Sequence, residues 1–151
     1  MFFFECSFIF LFILIGLPKD EWINAAEVLQ SYAEKDSNNT IKVIHDEHDV
    51  ITHIFIQLSI QKDLYKKFGH LVQYDGTHRT NKCGMPLYTL LIEDNYGVGQ
   101  PVWYCFMREE TTDSIKLALE TFAQVIVLHF HVVFFLSLIN FCLSQIVIQS
   151  F

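Results

Sequence analysis

One run stands out in the chain: Leu71-Val72-Gln73-Tyr74-Asp75-Gly76-Thr77-His78-Arg79-Thr80-Asn81-Lys82-Cys83-Gly84-Met85-Pro86-Leu87. Leu71 to Asp75 reads as an apolar strand that delivers a carboxylate at its end, followed by a glycine and a polar run. The end of a strand is where a rigid scaffold can present such a group to a cleft, and a strand-end Asp can hold a divalent metal for phosphoryl transfer. The competing reading makes Asp75-Gly76 a turn, with Asp75 as its local cap.

Outward from this stretch the pattern is α/β. Downstream, Leu87 to Glu93 reads as a second strand. Asp94-Asn95-Tyr96-Gly97-Val98-Gly99 reads as a turn, and Val102 to Met107 as a third strand. Thr111-Thr112-Asp113 then opens a helix with Ile115, Leu117, Leu119 and Phe122 among its apolar positions. Upstream, Trp22, Ala25, Ala26, Leu29 and Tyr32 or Ala33 recur at helical spacing, so residues 20–34 read as a short amphipathic helix. Ile41 to Ile44 and Val50 to Leu58 are β-rich runs joined by a polar hairpin turn at His45-Asp46-Glu47-His48-Asp49. Ser59 to Phe68 reads as a helix that stops at Gly69. The expected architecture is three antiparallel strands then a helix, preceded by a hairpin and a helix, as the start of a mixed sheet. No internal repeat is evident at this level.

Composition divides the chain more sharply than its average suggests. Of 151 residues, 52% are hydrophobic and 18% charged, with a net charge of −7. A chain-wide basic footprint for nucleic acid is excluded. Of the fifteen Phe, six lie in residues 1–17 and five in 123–151, while every charge but Glu5 lies between Lys19 and Glu120. The expected organisation is an apolar segment 1–17, a helix, hairpin and helix over 18–69, the strands and helix of 70–122, and an apolar tail 123–151. Phe8 to Leu17 has the length of a signal-peptide core, but no basic n-region precedes it and Pro18-Lys19-Asp20 comes next. In a secreted chain Asn38-Asn39-Thr40 would be a glycosylation acceptor. Val125 to Leu143 approaches the length of a membrane span, with His129, His131 and Asn140 inside it. Alternatively it supplies buried strand. Both ends are also rich in residues whose codons carry U at the second position, the signature that translated non-coding sequence would leave.

Smaller constellations carry little chemistry. His45-Asp46-Glu47-His48 reads as a solvated loop rather than a metal clip. His129 and His131 lack a third ligand nearby, and Cys83 lacks a base. The four cysteines, Cys6, Cys83, Cys105 and Cys142, show no C-x-x-C spacing and so make neither a zinc finger nor a disulfide scaffold. Lys62, Lys66, Lys67, Arg79 and Lys82 form a local basic cluster, with Lys62 and Lys66 on one helix face; it reads as a solvated face, with contact to nucleic-acid phosphates as the competing reading.

The run Asp75 to Leu87 resembles the first catalytic-strand motif of Mutator-like transposases, above all their domesticated relatives, the SWIM-type zinc-finger proteins with a ribonuclease-H-like domain. Within it Asp75, Gly76, Thr77, His78, Arg79, Thr80, Asn81, Pro86 and Leu87 carry the resemblance. Leu90 to Asp94 with Gly97, Gly99, Pro101 and Val102 resembles the second strand, its turn and the third strand. Glu109-Glu110 and Ile115 to Phe122 resemble the end of that third strand and the first helix. The similarity spans about residues 20–122. It implies a ribonuclease-H-like fold in which three acids bind two metal ions, such as Mg²⁺, for strand cleavage and transfer. Only the first acid falls on a residue of this chain, Asp75. The second should come after the helix that ends near Phe122, where the chain runs instead into Val125-Ile126-Val127-Leu128-His129. The third belongs to a later helix, and the Cys and His ligands of the SWIM finger have no counterpart. Glu93, Asp94, Glu109 and Glu110 read as solvated turn acids rather than substitutes.

The expectation is therefore a partial ribonuclease-H-like domain without catalysis, binding no metal cofactor and no small-molecule substrate. Its candidate partners are nucleic acid or protein. Its location is nuclear or cytoplasmic by resemblance, or membrane-bound through residues 123–151 if the tail inserts.

Overall fold

The computed structural model describes residues 21–78 and 84–126. The elements run α1 (Glu21–Lys35), β1 (Thr40–His45), β2 (Ile51–Gln57), α2 (Ser59–Phe68), β3 (Val72–Thr77), β4 (Leu87–Glu93), β5 (Gly99–Met107) and α3 (Thr112–Ile126). Contacts divide the chain into two compact units, Met1–Arg108 and Glu109–Phe151.

The first unit is built on a five-stranded sheet of order β1-β2-β5-β4-β3. All four pairings are antiparallel. The early hairpin is thus not a separate approach to the domain: β2 pairs with β5 from His53↔Met107 to Ile56↔Tyr104 and extends the same sheet. β2 and β5 are central and buried on both faces, which explains why Ile51–Gln57 shows a β-rich run without clean alternation.

One sheet face carries Ile54, Ile56, Leu87, Tyr104 and Phe106, joined by Leu29 of α1, Leu58 and Met85. Tyr32 packs against the same cluster, three positions from Leu29 on the helix. Each fully buried side chain of this kind contributes about 1.5–3 kcal/mol. On the opposite face His53, Phe55 and Trp103 form a stacked row, with centroids 5.6 and 5.4 Å apart. Phe55 and Trp103 are fully buried.

α2 is fixed at its start by a glutamine. The Gln61 Oε1 accepts the Leu58 N–H at 2.9 Å, and its Nε2 donates to the Pro101 carbonyl at 3.1 Å. The Ser59 N–H donates to Asn39 Oδ1 at 2.8 Å. Together these satisfy two N–H groups at the helix entry and tie it to β5 and to the turn before β1. At the other end the Gly69 N–H donates to the Tyr65 carbonyl at 2.7 Å. A Cβ at Gly69 would lie 2.5 Å from that oxygen, so the helix stops where the expected glycine stands.

The β1–β2 and β4–β5 turns are built alike. In each, an Asp closes the loop by donating its N–H to a Val carbonyl, Asp46 to Val50 at 2.9 Å and Asp94 to Val98 at 3.0 Å. In each, one carboxylate oxygen accepts two loop N–H groups: His48 and Val50 on Asp46, Tyr96 and Val98 on Asp94. The fourth loop residue is left-handed, Asp49 at φ 63° and Gly97 at φ 73°. The His45-to-Asp49 stretch is thus a built turn: one Asp46 oxygen is spent on the loop backbone and the other pairs with Arg108 at 3.3 Å.

In the second unit, α3 begins behind Thr111, whose Oγ1 accepts the Ser114 N–H at 3.2 Å. Ile115, Ala118, Leu119 and Phe122 are its buried apolar positions. Among the described residues no helix is long and apolar enough to cross a membrane. Residues 1–17, and the tail from Val127 with His129 and His131, lie outside the described residues.

Candidate functional site

Asp75 sits within β3 rather than at its end, and β3 is an edge of the sheet. It pairs with Thr89 and is exposed, while Gly76 pairs with Tyr88 and Thr77 with Leu87. The reading of Asp75-Gly76 as a turn is therefore corrected: both residues are extended and in register with β4. The glycine has a different cause. A Cβ on Gly76 would lie 2.7 Å from Tyr88 Cε1 and 3.0 Å from its Cζ. The Tyr88 ring lies over the bare backbone of Gly76 and stacks on Tyr74, with centroids 4.8 Å apart and planes at 18°. Alternation then places Tyr74 and Gly76 on one face of β3 and Asp75 and Thr77 on the other.

The surroundings of Asp75 are sparse in anionic oxygen. The Thr77 hydroxyl donates to Asp75 Oδ2 at 3.5 Å, the limit of a hydrogen bond. Among the described residues no group of three or more His, Cys, Asp or Glu side chains is placed to hold a metal ion. Glu93 closes β4 opposite Gly99, on the far side of the Val72↔Ile92 pair from Asp75. The Asp94 carboxylate accepts its two loop N–H groups, and Gln100 Nε2 donates to its second oxygen at 3.0 Å. The Val98 N–H bond is the largest cause holding its carboxyl below the ordinary value. Glu109 and Glu110 are exposed and belong to the second unit.

The rest of the motif divides by role. His78 is exposed, whereas Arg79, Thr80, Asn81, Lys82 and Cys83 lie outside the described residues. Met85, Pro86 and Leu87 are buried, and the Pro86 carbonyl accepts the Met107 N–H at 3.1 Å. The motif's last residues thus anchor the β4 start to the β5 end and to the core, a packing role.

The described cations of the basic cluster, Lys62, Lys66 and Lys67, each meet a partner within the fold. Lys62 donates to the Asn38 carbonyl, and burial, ahead of repulsion from Lys66, lowers its pKa. Lys66 pairs with Asp63 at 3.3 Å. The Lys67 ammonium lies 5.0 Å from the Phe68 ring centroid. Cys105 is buried, and desolvation pushes its thiol well up, so it is no nucleophile. Tyr88 is the site residue that sequence reasoning missed; its signal was Gly76 itself, since a glycine inside a strand marks a close approach.

Residues 30–136 match the model of the family described as zinc finger SWIM domain-containing protein 1/3, RNaseH-like domain. The chain is also similar to the Arabidopsis thaliana protein FAR1-RELATED SEQUENCE 11, at 32% identity over 105 residues, covering 70% of this chain and 15% of that protein. No solved structure matches. With the matched residues running from within α1 through all five strands and α3, the protein belongs to the transposase-derived ribonuclease-H-like domain family of the SWIM-type zinc-finger proteins 1 and 3.

Proposed function

We propose that this chain carries the ribonuclease-H-like scaffold without its chemistry, a non-catalytic piece of a domesticated transposase domain. The carrying observation is the isolation of Asp75: no set of three potential ligands exists among the described residues. Two divalent cations a few ångström apart need several anionic oxygens to offset their charge, and one exposed carboxylate does not supply them. From Thr121 to Phe151 the sequence offers no Asp or Glu that could join it. Asp75 would therefore be a vestige of the family motif, with the Asp75–Leu87 run kept for packing through Gly76, Met85, Pro86 and Leu87.

Nucleic acid or protein contact without catalysis is the alternative role. For nucleic acid, Lys62, Lys66 and Lys67 are the described cations of the cluster, and their internal partners reduce what they offer to phosphates. Any DNA binding should then show a shallow salt dependence, since the slope counts the phosphates neutralised.

The test is a nicking assay on supercoiled and single-stranded DNA with Mg²⁺ or Mn²⁺, using the full chain and its Asp75→Ala variant. The expected result is no cleavage above buffer for either. Metal-dependent nicking that disappears in Asp75→Ala would overturn the proposal.

A further inference from the structure

The two hairpins are equivalent in more than their turns. Asp46 and Asp94, like Val50 and Val98, stand 48 positions apart. The same offset carries His45↔Ile51 onto Glu93↔Gly99, Lys42↔Phe55 onto Leu90↔Trp103, and Thr40↔Gln57 onto Tyr88↔Cys105. Each hairpin has one register shift, between Ile44 and His45 in the first and between Leu90 and Leu91 in the second, two positions apart under this offset, so the pairings of Val43 and Ile44 differ from those of Leu91 and Ile92. Where they meet, Ile56 pairs with Tyr104, which are each other's equivalents. A pseudo-twofold axis therefore passes between Ile56 and Tyr104, normal to the sheet, and exchanges β1-β2 with β4-β5.

Under this operation the outer edge of β4, occupied by antiparallel β3 from Leu87 to Ile92, maps onto the outer edge of β1 from Asn39 to Ile44. Among the described residues nothing pairs with that edge, and Val43 is 38% exposed on it. An open strand edge is a template for another strand.

We propose that β1 is a homodimerisation edge, pairing antiparallel with β1 of a second copy about a twofold axis at Val43. The register is set by face and charge. Both copies keep their core faces on one side only if paired residues share a face, so the axis must fall on a residue rather than between two. Within Thr40–His45 two such registers give the longest overlap, centred on Lys42 or on Val43. The first sets Lys42 against its own copy, and directly opposed like charges are destabilising. The second sets Val43 against Val43, Lys42 against Ile44 and Ile41 against His45, so the lysine stem covers an apolar neighbour. The pairing is isologous and closes at two copies, whereas β1 against the β3 edge of a neighbour would propagate without end.

The test uses the full chain with Cys6, Cys83 and Cys142 changed to Ser, leaving buried Cys105. Opposed Cα atoms of an antiparallel pair lie about 4.5–5.5 Å apart, within the disulfide range of about 4.4–6.8 Å. Val43→Cys should therefore give a covalent dimer on mild oxidation, while Val50→Cys, equally exposed but in the turn, should not. Val43→Lys should lower the sedimentation mass of the otherwise unmodified chain about twofold, with circular dichroism unchanged. A monomeric parent chain would overturn the proposal. So would equal cross-linking through Val50→Cys, or cross-linking through Gln73→Cys on the β3 edge in place of Val43→Cys.

Discussion

Replacing Gly76 by Ala tests whether the motif glycine beside Asp75 exists for packing. No positive φ is involved at this position, so the backbone itself accepts alanine. The cost comes from the new methyl, 2.7 Å from Tyr88 Cε1, 3.0 Å from Cζ and 3.3 Å from Cδ1. Tyr88 is 5% exposed and stacked on Tyr74, so its ring has no open space to swing into. Overpacking of this kind costs about 1–3 kcal/mol, and losing the ring stack about 0.5–1.5 kcal/mol. Against this, alanine recovers about 0.4–1 kcal/mol by restricting the unfolded chain. The net expectation is a loss of about 1–3 kcal/mol, or a fall in Tm of roughly 2–4 °C per kcal/mol for a chain of this length. The assay is urea unfolding of the native chain, Gly76→Ala, Tyr88→Leu and the double variant. Gly99→Ala is the control, because a Cβ there meets nothing within 4 Å. If the ring is the cause, Gly76→Ala costs little once Tyr88 is Leu, giving a coupling above about 0.5 kcal/mol. An unchanged midpoint for Gly76→Ala, or the same cost in both backgrounds, would refute the packing argument.

Three further outcomes rest on the same geometry. Asp49→Gly should raise the unfolding midpoint and Gly97→Ala should lower it, each by about 1 kcal/mol in chemical denaturation, because both positions are left-handed. Asp36, Asp46 and Asp94 have carboxyl pKa values held below the ordinary 3.8, chiefly by hydrogen bonds from Ser59, Val50 and Val98 respectively. Their stabilisation is therefore complete above that value and lost as pH falls through the depressed folded values; the stability-versus-pH slope below pH 3.8 should flatten in Asp46→Asn/Asp94→Asn. Gln61→Leu should cost about 1–3 kcal/mol in thermal or urea unfolding, since it leaves the buried Leu58 N–H and Pro101 carbonyl without their partner.

Local signals were legible and long-range ones were not. Ser59–Phe68 and Leu87–Glu93 have the bounds their sequences suggest, because a glycine stop and an apolar run between turn residues are local facts. Asp75-Gly76 suggests a turn on composition alone; Tyr88, twelve residues on, keeps it extended, and no local propensity contains that ring. The union of β2 with β5 joins residues about fifty apart, and Phe55 and Trp103 reveal their stack only after the strands are paired. The equivalence of the two turns survives in sequence only as Asp46 with Val50 and Asp94 with Val98, since Glu47, His48 and Asp49 face Asn95, Tyr96 and Gly97. Backbone hydrogen bonds define that repeat, and they leave few side-chain traces. The basic cluster is legible as five cations, whereas the bonds of Lys62 to Asn38 and of Lys66 to Asp63 are not, since they depend on how α2 lies against its neighbours and on local rotamers.

If the scaffold persists without a two-metal centre, a metal titration will show it. Mn²⁺ added to the full chain and to Asp75→Ala, with electron paramagnetic resonance as the readout, counts bound ions. The expected result is weak binding that is the same for both proteins and no spin-coupled pair of ions. Two tightly bound, coupled ions that are lost in Asp75→Ala would contradict it.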